Sequence, residues 1–355
     1  MSVFSAPSFD QHELLVFHND ASSKLRAIIA IHNTVLGPAT GGCRMFDYVS
    51  DEAALNDVLR LSRGMTYKSA LADLPLGGGK AVIMGDPAKH KSRDLLLAMG
   101  EFIESLGGRY VCAEDSGTTV ADMSVIHEKT QHVSGLAKKR RFGGDPSPYT
   151  AYGVYCGMQA ALLHQRGKDS LKGVRVAIQG VGAVGRHLAA RLIQEDAVVY
   201  VADVSAANLK RAEALGAKPV PANRVLSMDV DIVAPCAMGG VINEESVEKV
   251  RAAIVAGAAN NQLESAEQGD TLRKRGILYA PDFVINAGGI IDVYYQQCSG
   301  SAKACERHVE RISGVLANIF QQSEHEQRST HAVAEVMAEA LFLHQPTPPR
   351  GAVVA

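Results

Sequence analysis

The feature that most constrains the fold is a glycine pattern made of Gly180, Val181, Gly182, Ala183, Val184 and Gly185. It directly follows VRVAIQ, a segment typical of a buried strand, and it opens a segment with helical spacing of apolar residues. In a strand-turn-helix unit the first glycine allows a tight turn, the second lets the backbone approach a pyrophosphate, and the third lets the helix pack closely on the strand. Because amide groups at a helix N-terminus attract anions, the pattern predicts a dinucleotide site. The alternative is a structural glycine turn without a ligand.

An acidic residue supports the same prediction. Asp203 ends the next predicted strand, where a carboxylate can accept hydrogen bonds from both ribose hydroxyls and would repel a 2′-phosphate. The sequence therefore predicts NAD rather than NADP as the cofactor. Lys210 and Arg211 lie further along the chain, and these cations would weaken the exclusion of NADP.

The segments after this motif predict a doubly wound sheet. The short apolar runs DIVAPCA, AAIVAGA and GILYAPDFVINAGG follow one another with helical segments between them, an alternation typical of a parallel sheet. A chain of 355 residues is expected to form two domains. The densest cluster of turn formers, RFGGDPSPYT at 141–150, places the boundary between them.

We therefore expect an α/β protein of two domains. Residues 1–140 would form an N-terminal α/β substrate and oligomerisation domain, and 141–330 a Rossmann-type doubly wound NAD-binding domain. A helix at 331–345 would return to the first domain, and the proline-rich tail 346–355 would be disordered.

Local patterns also predict elements within the first domain. The apolar segments KLRAIIAIHNTV, at 24–35, and RYVCAED, around Val111, are typical of strands. Ser50 is a candidate helix cap for a segment with helical spacing that leads to Lys68. A second helix is predicted at 92–106, ending at the Gly107-Gly108 pair as a C-cap.

Composition excludes several classes of function. The net charge is −2, and the one dense basic run, Lys138–Arg141, lacks interleaved aromatic residues and predicts a solvated loop, so neither nucleic acid nor a membrane surface is an expected partner. The six cysteines form no C-x-x-C pair and the twelve histidines form no H-E-x-x-H pair, so no metal site is expected. No signal-like segment begins the sequence and no long apolar run occurs in it, which together with scattered thiols predicts a cytoplasmic protein.

Candidate catalytic residues lie in the first domain. Lys68, in GMTYKSA, and Lys80, after the glycines of LPLGGGKAVI, would repel each other's charge if both face one cleft, leaving one amine neutral and able to act as a base. Asp115 follows the strand-like RYVCAE, where a strand would deliver its carboxylate to the same cleft for proton exchange. The alternative is a pair of surface lysines and a capping aspartate.

Many segments in order resemble one family. They are RAIIAIHNTVLGPATGGCRM, RLSRGMTYKSA, LPLGGGKAVI, AEDSGTT, GDPSPYTAYGV, QGVGAVG, APCAMGGVI, AGAANNQLE and YAPDFVINAGG. Over about residues 10 to 340 the chain resembles the amino acid dehydrogenases that oxidise leucine, valine or phenylalanine, within the glutamate dehydrogenase superfamily. The leucine enzymes are the most similar in their motifs.

The resemblance implies a role for each matching position. Lys68 would bind the substrate carboxylate, Lys80 would be the base that activates water, and Asp115 would shuttle the proton of the amino group. The substrate site would be lined by Thr40, Gly41, Gly42, Met65, Ala113, Asn261, Ile290 and Val293. Besides the glycine pattern and Asp203, the cofactor would contact Thr150, Cys236, Ala237, Asn260 and Asn286. The three glycines before Lys80 would let main chain pass beneath the substrate and the nicotinamide.

The implied reaction is reversible oxidative deamination. Hydride would pass from the substrate α-carbon to the nicotinamide, and water deprotonated by Lys80 would attack the resulting iminium, releasing ammonia and a 2-oxo acid. Small or apolar side chains at the pocket positions favour leucine, valine and isoleucine over glutamate, although Thr40 is smaller and more polar than the residue common in leucine enzymes.

Two alternatives are a phenylalanine dehydrogenase and a nucleotide-binding regulator without turnover. The resemblance also implies a homo-oligomer, built through the first domain.

Overall fold

The computed structural model describes residues 3–136, 144–298 and 300–343. The chain divides into two compact units: the first comprises Met1–Asp145, Val293–Ser299 and Ala338–Ala355, and the second comprises Pro146–Asp292 and Gly300–Met337. That residues 293–299 group with the first unit is not anticipated by the sequence. The basic run at 138–141 and the tail at 346–355, for which a solvated loop and disorder were predicted, lie outside the described residues.

The first unit contains a mixed sheet of five strands and three helices. After a short 3₁₀ turn at Val3–Ser5, the elements are β1 Leu14–Asp20, β2 Leu25–Asn33, β3 Ala39–Phe46, α1 Asp51–Leu71, β4 Gly77–Met84, α2 Arg93–Glu104, β5 Tyr110–Glu114 and α3 Val120–Ile126. The strand order is β1-β2-β4-β3-β5. Strand β2 pairs antiparallel with β1 and β4, whereas β3 pairs parallel with β4 and β5. The strands predicted at 24–35 and around Val111 are confirmed as β2 and β5.

The first long helix begins where the sequence predicts. The Ser50 side chain accepts a hydrogen bond from the amide of Ala53, and Asp51 and Glu52 place negative charge in the first turn of α1, as the helix dipole favours. The second helix, predicted at 92–106, begins at Arg93, and the Ser92 side chain caps it by accepting a hydrogen bond from the amide of Leu95. It ends at Glu104, and Gly107 and Gly108 form the turn beyond it with φ of 59° and 82°, so their predicted role as the helix C-cap is wrong.

Different helices pack on the two faces of this sheet. On one face, buried apolar side chains of the sheet pack against Met99 and Phe102 of α2 and against Met123 and Ile126 of α3. On the opposite face, the sheet packs against α1, with Ala54 and Val58 among the buried contacts. Lys80 lies on a strand between these layers, and its side chain is almost completely buried.

The second unit is built on six parallel strands. Its elements, with the two helices that end in the first unit, are α4 Ser147–Arg166, β6 Arg175–Gln179, α5 Ala183–Gln194, β7 Val198–Ala202, α6 Ala206–Glu213, β8 Lys218–Pro219, a 3₁₀ turn Val225–Ser227, β9 Ile232–Pro235, α7 Glu244–Lys249, β10 Ile254–Val255, α8 Ala266–Lys274, β11 Leu278–Tyr279, α9 Asp282–Ile285, α10 Gly288–Gln297, α11 Ala302–Glu326 and α12 Thr330–Phe342. The strand order is β11-β10-β9-β6-β7-β8, so the chain starts in the middle and winds outward in both directions. The predicted doubly wound parallel sheet is confirmed.

The helix α12 ends within the first unit. The hydroxyl of Tyr67, in α1, donates a hydrogen bond of 2.7 Å to Glu339, and its ring stacks on Phe342 at a centroid distance of 5.7 Å.

Among the described residues, no helix combines the length and apolarity that a membrane span requires.

Candidate active site

The three glycines before Lys80 pack against other parts of the chain. A Cβ on Gly78 would lie 2.1 Å from the backbone nitrogen of Thr66 in α1, and one on Gly79 would lie 2.8 Å from the ring of Tyr110. A Cβ on Gly77 would lie 2.2 Å from the carbonyl oxygen of Asn33. The glycines therefore let a helix, an aromatic ring and a neighbouring strand approach β4. Packing accounts for the absence of side chains at these positions, and the passage of this main chain beneath the substrate and the nicotinamide stays a prediction.

Lys80 forms a buried ion pair with Asp115. Its Nζ lies 2.7 Å from Oδ2 of Asp115, and the two side chains are 4% and 16% exposed. The prediction that β5 delivers the Asp115 carboxylate to the same place as Lys80 is confirmed. The sequence predicted repulsion between Lys68 and Lys80 but did not predict an ion pair of Lys80 with a carboxylate. Burial alone would raise the pKa of Asp115, but the charges of Lys80 and Arg44 hold that pKa well below its usual range, so Asp115 is a carboxylate.

The turn after β5 fixes the backbone of Asp115. The Asp115 amide donates to the Thr118 hydroxyl at 3.0 Å, and that hydroxyl donates to the carbonyl oxygen of Cys43 in β3 at 2.8 Å. Gly117 has φ of 83°, and a Cβ there would lie 2.0 Å from the carbonyl oxygen of Met45. The turn is thereby tied to β3, the strand beside the Lys80 strand.

A second cation contacts Asp115, and the sequence did not predict it. Arg44 donates from Nε to Oδ2 of Asp115 at 3.2 Å and from Nη1 to Oδ2 of Asp57 at 2.9 Å. The hydroxyl of Tyr48 also donates to Asp57, at 2.7 Å. A signal was available in GGCRM, because alternation along a strand places Arg44 on the same face as Gly42.

The candidate substrate residues of β3 and β5 lie close to this pair. A Cβ on Gly42 would lie 2.6 Å from the Cβ of Asp115 and 3.1 Å from Nζ of Lys80, so the absence of a side chain lets the ion pair lie directly against β3. Thr40 is completely buried two residues earlier in β3, and Ala113 pairs with Gly42. Gly41 faces the other side, where a Cβ would lie 1.8 Å from the carbonyl oxygen of Gly79.

The remaining candidates lie on other elements. Lys68 and Met65 belong to α1, on either side of the Thr66 contact with β4, and Lys68 is buried. Val293 groups with the first unit, whereas Asn261 and Ile290 group with the second.

The glycine pattern in the second unit has the predicted geometry. Gly180 has φ of 92°, which a turn requires, and a Cβ on Gly185 would lie 2.0 Å from the carbonyl oxygen of Gly180. A Cβ on Gly182 would meet nothing within 4 Å, and this residue caps α5 without a side-chain hydrogen bond. The start of α5 thus offers backbone amides and open space to an anion, which fits a pyrophosphate.

Asp203 is held at the end of β7 by several donors. Its Oδ2 accepts from the amide of Val181 at 2.8 Å, and its Oδ1 accepts from the amide of Ser205 at 2.7 Å. The Asn208 amide group donates to both oxygens at 3.3 Å, a contact that the sequence did not predict. The carboxylate therefore has a fixed place beside the glycine turn, as a ribose-binding acid requires.

Other candidate cofactor residues also belong to the second unit. Cys236 and Ala237 follow β9, and a Cβ on Gly180 would lie 2.7 Å from that of Ala237. The Asn286 side-chain amide donates to the carbonyl oxygen of Ala258 at 3.0 Å and to Oδ1 of Asn260 at 2.9 Å.

The buried Oδ1 of Asn286 accepts no hydrogen bond within the described residues, so a carboxamide N–H of a nicotinamide would suit it. Thr150, in α4, donates to the carbonyl oxygen of Pro146 at 3.1 Å. The described residues contain no group of three or more metal-ligating side chains.

Comparison with known proteins agrees with this geometry. Residues 12–132 match the family model described as Glu/Leu/Phe/Val dehydrogenase, dimerisation domain, and residues 145–210 and 204–343 match Glutamate/Leucine/Phenylalanine/Valine dehydrogenase. The leucine dehydrogenase of Bacillus subtilis is 46% identical over 340 residues, covering 96% of this chain and 93% of that protein. The phenylalanine dehydrogenase of Bacillus thermotolerans is 43% identical, covering 93% and 88%.

A solved structure is also similar over nearly the whole chain. The crystal structure of L-tryptophan dehydrogenase from Nostoc punctiforme aligns with a TM-score of 0.76 at 40% identity, covering 94% of this chain and 97% of that one. Family models and relatives thus agree across both units. The chain belongs to the Glu/Leu/Phe/Val dehydrogenase family of amino acid dehydrogenases.

Proposed function

We propose that this protein catalyses the reversible, NAD-dependent oxidative deamination of a hydrophobic L-amino acid to a 2-oxo acid and ammonia, with leucine, valine and isoleucine as the favoured substrates. The observation that carries the proposal is the buried Lys80–Asp115 pair, which lies directly against Gly42 where a side chain would block it. Membership of the family supports the reaction class, and the leucine dehydrogenase relative supports the substrate class.

Each side chain of the pair has a distinct proton to move. The carboxylate of Asp115 accepts a proton from the substrate ammonium and releases it to solvent. Lys80 is an ammonium in the ion pair, so it then passes its proton to Asp115 across the 2.7 Å contact, and the neutral amine takes a proton from the attacking water. Asp115 gives the proton that it received from Lys80 to the nitrogen when ammonia leaves. Lys68, buried on α1, binds the substrate carboxylate. A bound nicotinamide would accept the hydride from the substrate α-carbon.

The second unit would hold the dinucleotide. The amides at the start of α5 would bind the pyrophosphate, Asp203 would accept hydrogen bonds from the ribose hydroxyls, and Asn286 would accept one from the carboxamide. Thr150, Cys236, Ala237 and Asn260 would complete that site. The fixed carboxylate of Asp203 supports NAD over NADP, because it would repel a 2′-phosphate.

Aromatic amino acids are the second candidate substrates. Thr40 and Ala113 are small, and relatives that act on tryptophan and phenylalanine are nearly as similar as the leucine dehydrogenase. A hydrophobic pocket discriminates by only about 1 to 3 kcal/mol per methylene, so overlapping specificity is expected.

We also propose a cytoplasmic homo-oligomer. The family model that matches residues 12–132 describes a dimerisation domain, which supports assembly through the first unit. All six cysteines are free thiols, as a reducing compartment favours. Gel filtration with light scattering tests assembly, and a monomer would contradict this part of the proposal.

The substrate proposal is tested by steady-state kinetics. The values of kcat/KM would be measured with NAD for leucine, valine, isoleucine, phenylalanine, tryptophan and glutamate, and for the best substrate with NADP as well. We expect a branched aliphatic substrate to rank first and NAD to exceed NADP. A preference for glutamate would contradict the proposed pocket, and NADH binding without turnover on any amino acid would indicate a regulator instead.

A further inference from the structure

Arg44 is held at both ends of its guanidinium group. Its Nε donates to Oδ2 of Asp115 at 3.2 Å, the same oxygen that Nζ of Lys80 approaches at 2.7 Å. Its Nη1 donates to Asp57 of α1 at 2.9 Å. Because the guanidinium group is planar and bonds to two carboxylates, it has one orientation. It therefore also fixes the orientation of the Asp115 carboxylate.

Asp57, the residue of α1 that holds Arg44, has a second hydrogen-bond partner. Asp57 also accepts a hydrogen bond of 2.7 Å from the hydroxyl of Tyr48, in the segment that follows β3. The side chain of Arg44 is 17% exposed, so solvent screens these contacts little. The Asp57–Arg44 contact therefore links α1 to the Lys80–Asp115 pair through β3.

We propose that Arg44 is a positioning residue that holds Asp115 as a carboxylate in one orientation, ready to exchange a proton with the substrate nitrogen. This inference rests on the proposed function, because it assigns Arg44 to the proton exchange at Asp115.

The charges around Asp115 give this role a measurable consequence. Burial raises the pKa of Asp115, whereas Lys80 and Arg44 lower it to well below its usual range. Other titratable groups that interact with Asp115 include Cys43 of β3, Tyr48, and Tyr110 and Glu114 of β5. None of these four is a cation. Removal of the positive charge at Arg44 should therefore raise the pH at which Asp115 takes up a proton.

The test compares kcat and KM, and the pH profile of the Asp115 carboxyl ¹³C resonance, for the wild type, Arg44→Met and Arg44→Lys. Loss of the charge in Arg44→Met should raise the pKa of Asp115 and so move this profile to higher pH, with a small change in KM. Loss of orientation should also lower kcat by about 100-fold. Arg44→Lys keeps the charge and loses the planar donor pair, so kcat should fall while the profile stays near its wild-type position.

Two controls isolate the effect. Arg26 of β2 forms a similar ion pair with Asp51 of α1, at 2.9 Å, but both side chains are mostly exposed, so Arg26→Met should leave the profile unchanged. Burial, and then Asp145, raise the pKa of Glu114 to about 7, so this group titrates in the range that is measured. Repeating the comparison in a Glu114→Gln background removes its contribution.

A third variant should shift the titration of Asp115 in the opposite direction. Asp57→Asn removes the anion that partly neutralises Arg44, so the pH profile of the Asp115 resonance should move to lower pH. If Arg44→Met does not fold, Asp57→Asn and Arg44→Lys still test the inference. Carboxyl ¹³C NMR of aspartate-labelled, ligand-free protein gives a readout without turnover, with the Asp115 resonance identified by its loss in Asp115→Asn.

The outcomes separate this inference from the proposed function. Profiles of the Arg44 and Asp57 variants that match the wild type after scaling would overturn the inference while the reaction stands. A wild-type protein without turnover on any amino acid would instead overturn the proposed function.

Discussion

The backbone nitrogen of Thr66 lies 2.1 Å from the place that a Cβ on Gly78 would occupy. Helix α1, which carries Lys68, is thus in direct contact with β4, two residues before Lys80. Helix α1 and strand β4 can lie this close because residue 78 has no side chain.

The first prediction concerns this contact. Gly78→Ala should destabilise the protein severely or prevent folding, because backbone atoms block the new methyl group and neither element can yield cheaply. Gly64→Ala is the matched control: this glycine lies inside α1, and a Cβ there would meet nothing within 4 Å. It should stabilise the protein by about 0.5 to 1 kcal/mol. Urea unfolding measures both, and a stable Gly78→Ala protein would contradict the packing described.

The second prediction concerns pH and His12. This side chain is buried with Nε2 3.1 Å from the carbonyl oxygen of Leu59, and burial lowers its pKa from 6.5 to about 4. Since the native state keeps His12 neutral while the unfolded chain takes up a proton, stability should fall as pH drops from 6.5 towards 4. The contribution of His12 to this loss is on the order of 3 kcal/mol.

The measurement is the free energy of unfolding at several pH values for the wild type and His12→Asn. The difference between the two proteins should narrow as pH falls. A difference that stays constant would mean that His12 does not titrate differently in the folded and unfolded chains.

The third prediction concerns cofactor choice. Asp203→Ala should raise KM for NAD by about 10-fold or more, because a charged hydrogen-bond partner contributes about 1.5 to 3 kcal/mol, and it should narrow the preference over NADP. Asp229, which is exposed near Arg175, provides the control Asp229→Ala. Unchanged KM for NAD in Asp203→Ala would remove Asp203 from the cofactor site.

The fourth prediction concerns substrate size. Because Thr40 is proposed to line the substrate pocket, Thr40→Leu should reduce the volume of that pocket and lower kcat/KM for phenylalanine relative to leucine by about 10-fold. Thr40→Val keeps the shape and removes the hydroxyl, and it should change this ratio little. Equal ratios in the wild type and Thr40→Leu would show that residue 40 does not contact the substrate side chain.

The sequence predicted those features that depend on local pattern. Ser50 was recognised as a helix cap, and the glycine pattern with Asp203 identified a strand-turn-helix unit, because each depends on residues close together in the chain. The place of Asp115 beside Lys80 followed from the rule that a strand delivers the residue after it to the sheet edge.

Features that depend on distant packing were not predicted. Three glycines disfavour a strand locally, so β4 itself was missed, and the reason for the glycines lies in Thr66 and Tyr110, which no local pattern indicates. The partners of Arg44 are distant in sequence from one another, so its role could not be read from GGCRM alone. Helix α11, 25 residues long, was also missed, although buried apolar residues recur along it at helical spacing.

The most direct test of the account is the turnover of Lys80→Ala with its best amino acid substrate, measured beside NADH binding to the same protein. Without the amine that takes the proton from water, kcat should fall by about 100- to 10,000-fold while NADH still binds. Near-normal turnover by Lys80→Ala would contradict the assignment of Lys80 as the base.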